Sequence, residues 1–232
     1  VPEMRNKDLD AELEELSAAE VERRLQKLSG APDAWQEAGG AGLATALCLA
    51  ICSFLGVVAS LGLITAEKTH LQDPEAALVC DVNPLIGCGK WIGTWQNEIF
   101  FGISNSVWGL AAFSALFMLA LVLLARGRFH SLLWRVLSIG AAGGLLWIIW
   151  FVYESFFVSG TICPYCFIVW LATIPIIVLL ISRSLQGGHW GDKGRGVGQF
   201  LVRNRFLCVF LLYGILIALG IFQLGGKFSA LF

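Results

Sequence analysis

Charge is what this chain has least of. Only 14% of its 232 residues are charged, whereas 57% are hydrophobic and nine are Trp. That balance excludes a water-soluble domain and points to a polytopic membrane protein. A net charge of −1 favours neither nucleic acid nor an acidic partner. The first 40 residues are polar and lack a basic segment running straight into a short apolar stretch, so they are not expected to act as a removable signal peptide. The first span is therefore expected to be its own insertion signal. Within this tail, Ser17-Ala18-Ala19-Glu20 reads as a capping box opening a short helix with Val21, Leu25 and Leu28 on one face, closed by Gly30 and Pro32. It is read as a solvated cytoplasmic tail, with a partner-docking helix as the alternative.

What fills the chain instead is a series of long apolar runs. A bilayer core of about 30 Å needs about 20 mostly apolar residues per helix, and five stretches meet this: 43–65, 101–125, 132–153, 162–182 and 206–224. They predict one helical bundle. Basic residues collect on cytoplasmic flanks. Arg126, Arg128 and Arg135 mark one connection, and Arg183, Lys193, Arg195, Arg203 and Arg205 another. The 66–100 loop has only Lys68 and Lys90 against Glu67, Asp73, Glu75, Asp81 and Glu98. The N-terminus is therefore expected inside, and the 66–100 loop and the C-terminus outside, in a cell inner or plasma membrane.

Seven cysteines divide by place. Cys48 and Cys52 lie one turn apart inside the first span and Cys208 opens the fifth, positions where a thiol serves as a small apolar filler. Cys80 and Cys88 fall in the outer loop. Cys163 and Cys166 fall at the outer end of the fourth span, so both pairs are expected on one face, in a compartment that permits disulfides. Pro164 suits the first turn of a helix and pushes Cys163 out of helical geometry, which sets Cys163 near the N-cap and Cys166 near the third helical position. Both sulfurs then face unpaired N–H groups and the positive end of the helix dipole, where the reactive thiolate is favoured.

Two dicysteines on one membrane face have the layout of a thiol-disulfide relay. A four-thiolate zinc site is a competing reading; against it stand the spacing of the loop pair and the scatter of His70, His130 and His189, and no metal is expected. Structural disulfides that staple the loop are another. Exchange between the pairs needs a mobile loop, and Asn83-Pro84 with Gly87 and Gly89 supply turn residues around the Cys88 arm. The chain has no haem-attachment motif and no dinucleotide fingerprint, so the natural electron acceptor is a membrane-soluble quinone in an apolar, aromatic pocket. Ser104-Asn105-Ser106-Val107-Trp108 opens the second span level with the Cys-x-x-Cys. Asn105 there is either a helix cap or a ligand contact.

Cys80-Asp81-Val82, Cys88, the segment from Phe101 through Asn105 and Trp108 to Gly109, and Cys163-Pro164-Tyr165-Cys166 together resemble the vitamin K epoxide reductase family, in particular its bacterial homologues. The order of the pairs separates it from the DsbB-like oxidases, whose Cys-x-x-Cys precedes the loop pair. The resemblance implies an all-α integral membrane fold: a four-helix bundle core around a quinone (41–185, with the loop 66–100), a fifth transmembrane helix after a cytoplasmic connection (186–232), and the tail (1–40). It implies Cys163 and Cys166 as the active-site pair and Cys80 and Cys88 as the shuttle pair, with Cys80 meeting the partner, Cys88 attacking the Cys163 side, and Cys166 passing electrons on. Asn105, Trp108 and Trp170 are the residues it implies at the quinone, a menaquinone, a ubiquinone or a vitamin K-type naphthoquinone. Thr94 keeps the hydroxyl of a family Ser. Trp170 stands where vertebrate members have a Tyr and donates but does not accept a hydrogen bond, so neither that contact nor epoxide reduction carries over intact. Some bacterial members fuse a thioredoxin-like domain after the fifth span. Here the expected partner is a separate extracytoplasmic thioredoxin-fold, DsbA-like protein, and the expected output is disulfide formation in secreted proteins. A transmembrane electron carrier would need a reactive thiol at the inner face, with Cys208 its one candidate. A non-catalytic scaffold would keep its outer cysteines permanently oxidised.

Overall fold

Inside a bilayer an apolar segment satisfies its own backbone by becoming a helix, and the described residues contain five helices long and apolar enough to cross. The computed structural model describes residues 20–21, 24–25 and 29–229. A short helix, α1 (Ala34–Glu37), is opened by its own capping box: the Gln36 N–H donates to Asp33 Oδ1 at 2.7 Å and the Asp33 N–H donates to Gln36 Oε1 at 3.1 Å. The spans are α2 (Leu43–Gln72), α3 (Asn105–Leu124), α4 (Ser131–Tyr153), α5 (Pro164–Gln186) and α7 (Arg205–Ser229). An amphipathic helix, α6 (Asp192–Arg203), forms in the stretch expected only as a connection. The protein is an all-α, multi-pass membrane protein. The capping box expected at Ser17 and most of its helix lie outside the described residues.

Two boundaries differ from hydropathy in ways that matter to the site. Nothing between Ala66 and Leu71 breaks a helix, so α2 runs on to Gln72 and stops only where Pro74 disfavours helical geometry at Asp73. Glu67, counted above among the acidic residues of the loop, is therefore helical and buried. At the other end of the loop, α3 starts at Asn105 rather than near 101. The apolar residues Phe100–Ile103 form a tight turn instead, with φ of 59° at Phe101 and 69° at Gly102 and the Ile103 N–H donating to Phe100 O at 3.0 Å.

α5 is the most enclosed span and α7 the least. α2 lies along both α3 and α5, α4 packs on α5, and α7 leans on α5, where the Tyr213 hydroxyl donates to Leu171 O at 2.6 Å. The close approach of α2 to the start of α5 requires a glycine, since a Cβ on Gly62 would sit 2.5 Å from the Tyr165 ring. α4 runs into a wider π turn, Glu154–Ser159, that ends at Gly160 with φ 64°. The Ser155 hydroxyl then donates to Thr161 O at 2.6 Å and fixes the path of the chain into α5.

The opposite end of the bundle is basic. Buried Arg183 donates through Nε to Gly40 O at 2.9 Å and through Nη2 to Gly40 O and Gln36 O, and its guanidinium lies 5.0 Å from the Trp134 ring centroid. His189 is buried beside it, parallel to Trp134 with centroids 6.0 Å apart. Burial first, then the charges of Arg183, Arg135 and Arg195, push His189 down to about 4 from its ordinary 6.5. The folded protein thus holds this ring neutral where the unfolded chain would protonate it. Stability present above pH 6.5 is lost as the pH falls toward 4, by on the order of 2 kcal/mol from this one group. Thermal unfolding across that window should show a shallower pH slope for His189→Phe than for the parent, and identical slopes would exclude this account.

Candidate active site

The chain between α2 and α3 is short of regular structure, so its backbone groups must find partners one at a time. Asn83 Oδ1 accepts from the N–H groups of Leu85 and Ile86, each at 2.9 Å, and the Val82 N–H donates to Ile86 O at 2.9 Å, which closes a tight turn. Cys80 and Cys88 flank that turn and are joined as a disulfide with Cα atoms 5.7 Å apart. Inside the ring, Asp81 Oδ1 accepts from the N–H groups of Cys88 at 2.6 Å and Gly89 at 3.0 Å.

The turn residues were expected to free the Cys88 arm; they fasten it instead. The Gly87 N–H donates to Ile162 O at 3.0 Å and the Ile162 N–H to Leu85 O at 2.8 Å, while Lys90 Nζ donates to Thr161 Oγ1 at 3.0 Å. Cys88 is fully buried by this strap. Cys80 is buried as well, at 4% exposure, but its neighbours Val79 and Val82 are 94% and 68% exposed.

The strap ends at the start of α5. Cys163 is the N-cap, Pro164 follows in the first turn, and the Cys166 N–H donates to Cys163 Sγ at 3.4 Å. Cys163 is 1% exposed and its Sγ lies 3.6 Å from Cys88 Sγ. The structure thus joins the two pairs through Cys88 and Cys163, in van der Waals contact and one exchange step apart. The hydrogen bond from the Cys166 thiol, then those from the Cys166 and Tyr165 N–H groups, hold the Cys163 thiol below its ordinary range, against burial and the charge of Asp81.

Cys166 faces the other way, into a cavity of about 470 Å³. Asn105, Trp108, Trp170, Trp147 and Phe151 share its walls, so the residues singled out from the sequence meet around one space. Trp170 is buried edge-to-face against Phe156 and Phe167, whereas Trp108 is partly exposed beside Phe100. Asn105 is not a cap: Ser104 is, accepting from the Ser106 N–H. Asn105 Nδ2 donates to Gln96 O at 2.7 Å, and Oδ1 is buried with no partner. Thr94 instead turns its hydroxyl to Trp91 O at 2.8 Å and is not part of the wall.

Cys48 and Cys52 lie in α2 with their sulfurs 3.9 Å apart, and Cys208 lies in α7. Sequence reasoning missed a polar cluster at the cavity's edge, where Asn97 donates to the Glu67 carboxyl and the Ser104 and Ser106 hydroxyls lie within hydrogen-bond distance of it. A signal was present, since a glutamate followed by no helix breaker extends the first span past its apolar part.

A model of the vitamin K epoxide reductase family matches residues 47–181, more than half of the chain and the whole of the site. The chain belongs to that family. As a vitamin K epoxide reductase family protein it is a membrane thiol-disulfide oxidoreductase, in a group that is quinone-linked in general. The match ends inside α5, so α6 and α7 lie outside it.

The contact between the pairs makes a prediction for this family member. With Cys80 and Cys166 both changed to Ser, the remaining Cys88 and Cys163 should join as a disulfide under mild oxidation, because their sulfurs already touch. With Cys88 and Cys166 changed instead, a Cys80–Cys163 link should form roughly tenfold less. Mass spectrometry of alkylated, unreduced protein reads both, and equal yields would count against the placement of Cys88.

Proposed function

We propose that this protein oxidises a separate thioredoxin-fold partner outside the cytoplasm and passes the electrons to a membrane quinone, so that disulfides form in secreted proteins. The observation that carries the reading is the position of the Cys163–Cys166 turn, with one sulfur against the loop disulfide and the other on the wall of an aromatic cavity. The partner's thiolate attacks Cys80 and releases Cys88. Cys88 attacks Cys163 of an oxidised Cys163–Cys166 pair and releases Cys166 at the cavity wall; the partner's second thiolate then displaces Cys80, and Cys80 displaces Cys163 from Cys88, so the partner leaves oxidised, the loop disulfide is restored and the Cys163–Cys166 pair is left reduced. Cys163 suits the central place in this exchange because its lowered thiol range makes it a good leaving and attacking group.

The cavity fits a quinone ring by its size, its aromatic lining and its polar group. A bound quinone supplies a two-electron, two-proton sink. Asn105 has one Nδ2 hydrogen for a carbonyl and a free Oδ1 for a hydroxyl, with Trp108 and Trp170 as aromatic walls. The reading puts the basic end of the bundle in the cytoplasm, by the positive-inside rule, and both cysteine pairs on the outer face. The N-terminus then lies inside and the C-terminus outside. Menaquinone, ubiquinone and vitamin K-type naphthoquinones all share the ring chemistry this site would recognise.

Quinol formation from menadione and a reduced dithiol by purified protein tests the reading. Cys166→Ser should abolish it, and a rate above about a tenth of the parent would sink the relay. Asn105→Ala should lower turnover by about 10²-fold, as the loss of an oxyanion donor in a dry site does, with only about 1 kcal/mol of stability lost with the Gln96 hydrogen bond. Unchanged kinetics in Asn105→Ala would move the quinone elsewhere.

A further inference from the structure

Glu67 is a carboxyl group 8% exposed in a membrane-spanning helix, and no ion pair reaches it among the described residues. Its neighbours are hydroxyls. Ser104 Oγ lies 2.6 Å from Glu67 Oε1, Ser106 Oγ lies 2.8 Å from Glu67 Oε2, and the two hydroxyl oxygens lie 2.7 Å from each other. Asn97 Nδ2 closes the group from outside, donating to Oε1 at 2.8 Å.

The proton count of this ring is informative. Each of the three oxygen–oxygen contacts is of hydrogen-bond length and needs one hydrogen between its atoms. Two serine hydroxyls supply two. With an ionised carboxylate one contact would set two bare oxygen lone pairs against each other in a dry place; with a carboxylic acid all three are filled. The ring is also at the right place to use its proton, since Ser106 and Asn97 both belong to the cavity wall that carries Cys166 and Asn105. Ser104, half-buried at the loop side, gives the ring its way back to outer water.

We propose that Glu67 holds a proton in this ring and hands it through Ser106 to the oxygen of a quinone reduced in the cavity. The inference rests on the quinone reading above and adds to it the source of a proton. Reduction to a quinol takes two electrons and two protons. Oxidation of the Cys163–Cys166 pair to a disulfide gives both electrons; the Cys166 thiol gives one proton, and Cys163, entering as thiolate, has none to give. Glu67 supplies the second and is left as a carboxylate, so the charge is −1 before and after the step. Across the cavity from Glu67, Cys166 on α5 shares the wall with Ser106 and Asn97. Lys68 on α2 and Glu98 beyond the Asn97 turn are exposed, and His70 is half-buried.

Glu67 acts through Ser106, so activity alone is not a sufficient test. The infrared difference spectrum between parent and Glu67→Gln at neutral pH should show the C=O stretch of a protonated carboxyl, shifting in heavy water; its absence would overturn the stored proton. With menadione, Glu67→Gln and Ser106→Ala should each lower quinol formation by about 10²-fold, and Glu67→Asp should recover part of it. In Glu67→Gln, menadione affinity, read by Trp quenching, and the yield of the Cys88–Cys163 link should stay at parent values. Parent-like quinol formation in a folded Glu67→Gln protein would overturn the relay. If Glu67→Gln fails to fold, Ser106→Ala decides by the same two rates. A parent that makes no quinol refutes the quinone reading, while the infrared band still judges the ring by itself.

Discussion

Two backbone hydrogen bonds, one from Gly87 to Ile162 and one from Ile162 to Leu85, set the geometry on which the site depends. They join segments that the sequence keeps far apart and hold Cys88 against the N-terminus of α5, whatever its sulfur is bonded to. Backbone bonds do not change when a disulfide opens. Asp81 adds to this by accepting from the Cys88 and Gly89 N–H groups, which keeps the Cys88 main chain in place after the ring opens. The Cys80 side has no such strap to α5, and the side chains beside it face outward. The asymmetry leaves Cys80 beside exposed neighbours while Cys88 stays in contact with Cys163.

A membrane protein that places irregular chain over a bundle must satisfy many backbone groups without a ladder, and here the polar side chains of the loop do much of that. Asn83, Asp81 and Thr94 each accept from or donate to main-chain atoms within a few residues. The aromatic residues do the rest. Trp91 packs on Phe151, and Phe100 stacks on Trp147 with centroids 5.3 Å apart, so the loop roofs the cavity with rings.

The cap position of Cys163 and the third helical position of Cys166 were legible in the sequence because one proline fixes them: Pro164 sets the register for the start of α5. Asn105 was legible as an amide in an apolar helix start, and its two readings separated once Ser104 was seen to be the cap. The turn at Phe100–Ile103 was not legible, since hydropathy scores residue type and is blind to positive φ. Glu67 was hidden for a related reason: a span measured by apolar content ends at its first charge, whereas a helix ends at its first breaker. The strap at Ile162 had no local signal, because a bridge of two residues has no period to detect.

The division of labour between Cys163 and Cys166 follows from helix geometry. A residue at the N-cap has extended backbone and points its side chain back over the open end of the helix, while a residue at the third position is helical and points out from the flank. Three residues therefore turn a sulfur from the loop to the cavity wall, and the pair remains close enough to close a disulfide. The free N–H groups at that end favour the thiolate at the cap. The flank position gains less from them and lies on the cavity wall. A Cys-x-x-Cys in the middle of a helix would put both sulfurs on one face, and exchange with the loop would then open the cavity to water. Its location at the helix start is what sets one sulfur against the loop and the other on the cavity wall.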